Sequence, residues 1–214
     1  MKLCLGKPVG LPTPAGRGAR AGGRMVRMKL GFVRHGQTQW NLEGRLQGSS
    51  NIPLNGTGRA QAADAVQVLA GGNWDVVVSS PLDRARQTAQ IIADGLGLEL
   101  GPSYELLVER DYAQGEGMIE AEALERWPGK IGGGIEPLES VVARGRRAIE
   151  QIMEDFPGKN VAVVCHGTII RYTLSDFAGY TLDTIRNGSV AVLGQDEAGR
   201  LRLELVNDQV PAAR

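Results

Sequence analysis

Apolar residues occur in two kinds of pattern, and segments of the two kinds alternate along the chain. Three runs are apolar almost throughout, as in strands of a parallel sheet covered on both faces. They span 29–34, 75–79 and 161–165. Four longer stretches carry apolar residues at helical spacing. They span about 57–69, 80–96, 138–156 and 168–178. The alternation predicts an α/β fold, a three-layer α/β/α domain with a mostly parallel central sheet.

Weaker signals complete this outline. Thr57 is expected to cap the first of these helices, and Ser80, followed by Pro81, to cap the second. A weak strand is predicted near 104–108. Two closing strands, 189–193 and 201–206, are expected to pair across the turn 196–199.

The first 27 residues differ in composition from the rest. They are rich in glycine and proline, carry six basic residues and no acidic one, and lack apolar periodicity. Such a segment buries little apolar surface, so it is predicted to be a disordered extension of a single domain over 28–214. Met25 and Met28 suggest the hypothesis that the natural start lies there and that the extension reflects a mis-assigned gene start.

Charge and cysteine content narrow the class of protein. Residues 28–214 hold 18 basic and 24 acidic residues, which disfavours nucleic-acid binding because that depends on clustered lysine and arginine. No apolar run is long enough for a signal-peptide core or a membrane span. The two cysteines, Cys4 and Cys165, predict neither a disulfide nor a metal cage, which favours a reducing, cytoplasmic location.

The two histidines, His35 and His166, occupy the same setting. Each follows an apolar predicted strand and precedes a glycine. The carboxyl ends of parallel strands meet at one edge of a sheet, where α/β proteins bind ligands, so both imidazoles are expected to face one site. A lone histidine is more often an ordinary packed or surface residue, but the repeated setting makes these two the leading functional candidates.

Two arginines are expected to reach the same edge. Arg34 immediately precedes His35, and Arg84 lies in the first turn of the helix that Ser80 is predicted to open. A guanidinium binds phosphate or carboxylate with a fork of N–H donors, and a helix N-terminus favours an anion. On spacing alone, Arg84 could equally be a solvated helix arginine.

Five short blocks occur in a fixed order along the chain. They are Arg34-His35-Gly36-Gln37-Thr38-Gln39-Trp40-Asn41, Arg45-Leu46-Gln47-Gly48 to Pro53-Leu54, Ser79-Ser80-Pro81-Leu82-Asp83-Arg84-Ala85, Glu109-Arg110 and Cys165-His166-Gly167. Together they resemble the histidine phosphatase superfamily, the phosphoglycerate-mutase-like clan. The Arg-His-Gly triplet alone would be weak evidence, whereas five blocks in the right order are specific. The resemblance extends from Met28 to about Val206.

The resemblance implies a phosphoglycerate-mutase-like fold and phosphoryl transfer through a phosphohistidine, with neither metal nor cofactor. His35 would be the nucleophile, and His166 would stabilise the charge of the transition state. The phosphate oxygens would be bound by Arg34, Arg84, Asn41 and Gly167. The substrate would also contact backbone amides of Gln47 and Gly48.

The leaving oxygen needs a proton, and the resemblance places the proton donor and acceptor at Glu109. The residues alone do not choose Glu109 over Glu116 or Asp111, and Glu116 is the second choice. Three departures from the family pattern are Ala113, where glycine is common, Asn51, where aspartate is frequent, and Leu138, where a glycine usually precedes the Glu139-Ser140 pair. None belongs to the phosphate-binding set, so they bear on specificity more than on catalysis.

The segment 111–136 is predicted to be a short lid with one helix near 119–127. Residues 113–139 carry six glutamates against one arginine and one lysine, which disfavours a substrate with both phosphate and carboxylate groups. The favoured function is therefore a phosphomonoesterase that hydrolyses a small phosphorylated metabolite. The alternatives are a cofactor-dependent phosphoglycerate mutase and a non-catalytic phospho-ligand binding protein. The sequence leaves the oligomeric state open, with a homodimer among the alternatives.

Overall fold

A six-stranded sheet forms the centre of the computed structural model, which describes residues 28–211. The strands are β1 (Lys29–Arg34), β2 (Val76–Ser79), β3 (Leu100–Ser103), β4 (Val161–Cys165), β5 (Val190–Gln195) and β6 (Leu201–Leu205). Their order across the sheet is β3-β2-β4-β1-β5-β6. The first four in this order are parallel, whereas β5 is antiparallel to β1 and β6 to β5. The mostly parallel sheet and the closing hairpin are as predicted, and the predictions for residues 1–27 lie outside the described residues.

Helices cover both faces of the sheet. They are α1 (Gln39–Leu42), α2 (Gly56–Leu69), α3 (Asp83–Leu96), α4 (Glu120–Arg126), α5 (Leu138–Asp155) and α6 (Gly167–Ala178). Short 3₁₀ turns span Glu105–Leu107, Ala113–Gly115 and Pro128–Lys130. Within residues 28–211, no helix combines the length and apolarity that a membrane span requires.

Alternate strand residues face the two helical layers, as the pleat of a strand requires. Leu30, Phe32 and Val163 pack in one cluster with residues of α5 and α6. Val33 and Val164 pack in the other, with residues of α2 and α3. The predicted three-layer α/β/α architecture is therefore confirmed, and each side of the sheet has its own apolar core.

Three local predictions are wrong at the element boundaries. The strand expected near 104–108 lies earlier, at β3, and its proline is tolerated because β3 is an edge strand that leaves N–H groups unpaired. Helix α2 is capped by Asn55, whose side chain accepts from the amide of Gly58, rather than by Thr57. Ser80 caps nothing, since α3 begins at Asp83.

The segment 111–136 forms a wall with a small apolar cluster of its own. It contains α4, which confirms the helix predicted near 119–127, and two of the 3₁₀ turns. The cluster consists of Leu46, Tyr112, Ala123 and Ile135. Ala113 adopts a φ of 44°, a left-handed conformation that glycine accepts more easily than alanine. That the segment opens and closes as a lid stays a prediction.

Candidate active site

The two histidines meet at the carboxyl edge of the sheet. Strands β1 and β4 are parallel neighbours in which Arg34 pairs with Cys165, so the residues that follow each strand lie side by side. The amide of His35 donates to the carbonyl of Cys165 over 2.9 Å. The imidazole centroids of His35 and His166 are 5.1 Å apart, with the rings inclined at 61°. The structure therefore brings together the two side chains whose common setting the sequence revealed.

The protonation of His35 follows from its two partners. Its Nδ1 lies 2.7 Å from the carbonyl oxygen of Gly36, which can only accept, so Nδ1 carries the proton. Its Nε2 accepts from Nε of Arg84 over 3.3 Å. Burial, followed by the charges of Arg84 and Arg34, holds the pKa of His35 well below its usual value. The imidazole is therefore neutral, with its lone pair on Nε2.

Arg84 lies behind His35 and not in the open cavity. It is fully buried on α3, and its terminal nitrogens donate to the carbonyls of Ser50 and Gly48 at 2.8 and 2.7 Å. Burial lowers its pKa to about 10, so it remains a cation at neutral pH. The solvated-arginine alternative is therefore wrong, because this guanidinium is packed against the imidazole.

Arg34 lines the cavity from the end of β1. One terminal nitrogen donates to the carbonyl of Ile185 over 2.6 Å, while its Nε is buried and has no partner among the described residues. A Cβ on Gly167 would lie 3.1 Å from that Nε, so glycine allows the guanidinium to lie close to the start of α6. Burial lowers the pKa of Arg34, and the nearby charge of Glu109 opposes that effect.

His166 is fully buried and has one partnered ring nitrogen. Its Nε2 lies 2.8 Å from Oγ of Ser80, whereas its Nδ1 has no partner among the described residues. Burial, followed by the positive charge of Arg84, holds the pKa of His166 well below its usual value. This imidazole is also neutral.

A cavity of about 520 Å³ opens beside these groups. The predicted site residues that line it are Arg34, His35, Asn41, Gln47, Glu109 and Gly167. Four side-chain nitrogens or oxygens in the described chain are buried without a partner, and three of them belong to Arg34, Gln47 and His166. Each of these three is a nitrogen, and a buried unpaired polar group is costly unless something binds it.

Asn41 adds a further amide to the cavity wall. Its Oδ1 accepts from the amide of Thr38 and from Nδ2 of Asn187, both at 3.2 Å. Asn41 itself lines the cavity. For Gln47 the sequence prediction concerned the backbone amide, whereas the unpartnered group is the side-chain Nε2.

The two candidate proton donors have different surroundings. Glu109 lines the cavity, and its carboxylate accepts from the amides of Arg110, Thr168 and Ile169. It thereby caps the N-terminus of α6 from a distant segment. Glu116 lies away from the cavity lining and accepts from the amides of Gly48 and Ser50. Of these two carboxylates, Glu109 is the one that lines the cavity.

The backbone at Glu109 is held by an arginine of α5. Arg144 donates to the carbonyls of Leu106, Val108 and Glu109 at 2.5 to 3.1 Å. Its guanidinium also pairs with Glu136, with Nε to Oε1 at 2.8 Å. Because three hydrogen bonds from one rigid group hold the backbone of this loop, the backbone of Glu109 has a defined position at the cavity.

Two glycines next to the site, Gly36 and Gly48, have structural contacts of their own. A Cβ on Gly36 would lie 2.1 Å from the carbonyl oxygen of Gly58, so this glycine allows the loop to contact the start of α2. The amide of Gly48 already donates to Glu116, and its carbonyl accepts from Arg84. The contact predicted between the Gly48 amide and substrate is therefore occupied by Glu116 in this structure.

Several residues that line the cavity were not predicted from the sequence. Asn187 donates to the carbonyl of His35 over 2.9 Å as well as to Asn41. The hydroxyl of Tyr112 lies 2.9 Å from that of Thr168. Thr168 directly follows His166-Gly167, which is a usable signal, whereas Asn187 sits in a loop whose sequence shows no periodicity.

The charged side chains that line the cavity are mostly basic, whereas the segment 113–139 is acidic in composition. The basic residues that line it are Arg34, Arg45, Arg110, Lys130 and Arg171, whereas Glu109 and Glu120 are the acidic ones. Of the six glutamates at 113–139, only Glu120 lines the cavity, and it pairs with Lys130. The prediction that these acidic residues disfavour a substrate with both phosphate and carboxylate groups is therefore wrong, since five of the six carboxylates do not line the cavity.

Fold and site together define an α/β protein with a pocket lined largely by basic side chains beside a neutral histidine, at the carboxyl edge of its sheet. In residues 28–211, no three His, Cys, Asp or Glu side chains come together as a metal-binding group, and metal-free chemistry stays a prediction. The family model of the histidine phosphatase superfamily (branch 1) matches residues 30–209. The chain belongs to this superfamily.

Similar proteins carry phosphatase names. The uncharacterized phosphatase PhoE of Bacillus subtilis is 39% identical over 150 residues, 69% of this chain and 76% of that protein. Phosphoserine phosphatase 1 of Hydrogenobacter thermophilus is 30% identical over 198 residues, 83% of this chain and 92% of that protein. A mycobacterial glucosyl-3-phosphoglycerate phosphatase, solved in complex with VO3, superimposes with a TM-score of 0.75 at 27% identity, over 84% of this chain and 98% of that one.

Proposed function

We propose that this protein is a metal-independent phosphomonoesterase that hydrolyses a small phosphorylated metabolite through a phosphohistidine on His35. The observation that carries the proposal is the set of buried, unpartnered nitrogens of Arg34, Gln47 and His166 around a neutral imidazole. N–H donors without acceptors form a site for an anion with several oxygens, such as a phosphoryl group. The phosphatase names of the similar proteins support the same class of reaction.

In the first step, the lone pair on Nε2 of His35 attacks phosphorus and the ester P–O bond breaks. Arg34, Arg84 and His166 stabilise the negative charge on the phosphoryl oxygens. The protonated carboxyl of Glu109 gives its proton to the leaving oxygen, so that the alcohol departs neutral. The Nε–H of Arg84, which donates to Nε2 of His35 in the structure, turns to a phosphoryl oxygen as phosphorus takes up that lone pair, while its terminal nitrogens stay on the carbonyls of Gly48 and Ser50.

In the second step, water attacks the phosphorus of phosphohistidine and the P–N bond breaks. The carboxylate of Glu109 takes the proton from that water, and inorganic phosphate leaves with His35 neutral again. A cavity of about 520 Å³ is larger than a phosphate needs and lies within the range of small-molecule sites. Its basic lining favours a polar, anionic metabolite.

The proposal is tested by phosphate release from a library of phosphorylated metabolites and from p-nitrophenyl phosphate. His35→Ala serves as the blank, and enzyme quenched during turnover is searched by mass spectrometry for acid-labile phosphate on the His35 peptide. Phosphate release with wild type, none with the variant, and label on His35 are expected. Release that persists in His35→Ala would refute the mechanism.

Two other outcomes would replace the proposal. Interconversion of 2- and 3-phosphoglycerate that depends on the bisphosphate and outruns phosphate release would identify a mutase, for which the basic lining is equally suitable. Binding of phosphorylated ligands without turnover of any substrate would identify a non-catalytic binding protein.

A further inference from the structure

Ser80 lies at the carboxyl end of β2, beside the strand that leads to His166. Helix α3 begins only at Asp83 and has no side-chain cap, so the Ser80 hydroxyl is not used by the helix. The amide of Ser80 donates to the carbonyl of Val164 over 2.9 Å, which fixes its backbone to β4. Ser80 and His166 are both fully buried, with Oγ 2.8 Å from Nε2.

The direction of that hydrogen bond follows from counting donors and acceptors. A hydroxyl has one proton to donate and two acceptor sites. The amide of Leu82 donates to Oγ of Ser80 over 3.4 Å, which uses an acceptor site and leaves the proton. Among residues 28–211, Nε2 of His166 is the acceptor that hydrogen-bonds this hydroxyl. Ser80 therefore donates to Nε2, and the neutral ring carries its own proton on Nδ1.

The Nδ1 atom of His166 is the ring nitrogen left without a partner. With its proton on Nδ1, the ring presents an N–H donor next to His35, whose centroid is 5.1 Å away. The opposite tautomer would present a lone pair, which repels phosphoryl oxygens and leaves the hydroxyl proton of Ser80 without an acceptor.

We propose that Ser80 is a positioning residue that holds His166 as the Nδ1–H tautomer, so that His166 donates a hydrogen bond to the phosphoryl group. The inference deepens the proposed function and rests on it for the identity of the ligand. Both imidazoles then have the same tautomer but opposite tasks. In His35 the Nδ1–H donates to the carbonyl of Gly36, and Nε2 is the reactive nitrogen. In His166 Nε2 accepts from the hydroxyl of Ser80, and the Nδ1–H donates to the phosphoryl group.

The tautomer is measured directly by long-range ¹H–¹⁵N spectra of the full ¹⁵N-labelled chain, which contains only two histidines. His35→Gln assigns the two ring systems. We expect both rings to be protonated at Nδ1, and we expect added inorganic phosphate to shift the Nδ1 proton of His166. A wild-type spectrum with His166 protonated at Nε2 would overturn the proposal without any further variant.

Variants then test the role of the hydroxyl. Ser80→Ala is expected to move the His166 proton to Nε2, to leave the His35 tautomer unchanged, and to lower kcat about 10- to 100-fold with a smaller change in KM. Ser80→Thr retains the hydroxyl and should restore both readouts. Ser79→Ala is the matched control, since Ser79 is equally buried but contacts Ser103.

An unchanged His166 tautomer in Ser80→Ala, or a changed tautomer with an unchanged kcat, would contradict the proposal. These results are distinguishable from failure of the proposed function. A protein that releases phosphate from no substrate would refute the phosphatase proposal, while the ring spectra would still decide whether Ser80 sets the tautomer.

Discussion

Arg84 donates a hydrogen bond from its Nε to Nε2 of His35 over 3.3 Å. The bond joins the buried cation of α3 to the nitrogen proposed as the nucleophile. It occupies the lone pair of Nε2 until a phosphoryl group takes its place, and the positive charge adds to the effect of burial in lowering the pKa of His35. The same guanidinium ties the loop carbonyls of Gly48 and Ser50 to the site, so one side chain sets both the electrostatics and the shape of the pocket.

Replacing Arg84 by methionine should therefore change both properties. The pKa of His35 should rise, because burial remains but the nearby positive charge is lost. The carbonyls of Gly48 and Ser50 lose their donors, which should lower the free energy of unfolding by about 2 to 5 kcal/mol. NMR titration of His35 and urea denaturation measure the two effects.

Arg86→Met is the control for this experiment, since Arg86 lies two residues further along the same helix and is exposed. It should leave the His35 titration and the stability close to those of the wild type. Equal behaviour of the two variants would show that the contact between Arg84 and His35 has no energetic consequence.

The two buried histidines also predict how stability depends on pH. Both have pKa values held well below the usual one by burial, so the folded chain keeps them neutral where the unfolded chain protonates them. Below about pH 6.5 the unfolded state binds more protons, and the free energy of unfolding should fall by about 1.4 kcal/mol per pH unit for each histidine. Above that pH the contribution is constant.

Urea denaturation at pH 7, 6 and 5 measures this dependence. Carboxyl groups also titrate toward pH 5, so the informative quantity is the difference between wild type and His35→Gln. As the pH falls, the free energy of unfolding of the variant should decrease less steeply than that of the wild type, by the contribution of one histidine. Parallel curves for the two proteins would mean that His35 is protonated in the folded state.

The meeting of His35 with His166 could be predicted from sequence because it depends on strand topology alone. Buried strands read as apolar runs, and parallel strands place their following residues at one edge. The task of Ser80 could not be predicted in this way. A serine before proline is a common helix start, and only the observed start of α3 at Asp83 shows that its hydroxyl serves His166.

The net charge of the segment 113–139 did not predict the charge of the cavity lining, for a related reason. Glu136 pairs with Arg144, and Glu116 binds the amides of Gly48 and Ser50, so neither carboxylate reaches the cavity. Composition counts charges but does not say where side chains point, which depends on partners distant in sequence.

Gly36→Ala tests the close contact between the site loop and α2. The new Cβ would lie 2.1 Å from the carbonyl oxygen of Gly58, so one of the two backbones must shift, and Gly36 directly follows His35. We expect a loss of about 1 to 3 kcal/mol in unfolding free energy, as in other overpacked sites, together with reduced activity. Gly71→Ala, where the added Cβ meets nothing within 4 Å, should be close to neutral in urea denaturation. Equal stabilities of the two variants would contradict the contact.

Glu109→Gln tests the proposed proton donor. The amides of Thr168 and Ile169 bind different oxygens of Glu109, so glutamine keeps an acceptor for one of them but cannot supply or take the proton. An alkyl phosphate needs a proton on its leaving oxygen, whereas p-nitrophenolate leaves readily without one. We therefore expect kcat/KM to fall by about 10²- to 10⁴-fold for an alkyl phosphate and far less for p-nitrophenyl phosphate.

Glu116→Gln gives the comparison that separates the two carboxyl groups. Glu116 holds the loop amides of Gly48 and Ser50, and that loop in turn accepts from Arg84, so its loss should disturb the pocket for every substrate. Both phosphate esters should then slow by a similar factor. If instead Glu116→Gln discriminates between the two leaving groups and Glu109→Gln does not, the proton is delivered from Glu116 and the assignment to Glu109 is wrong.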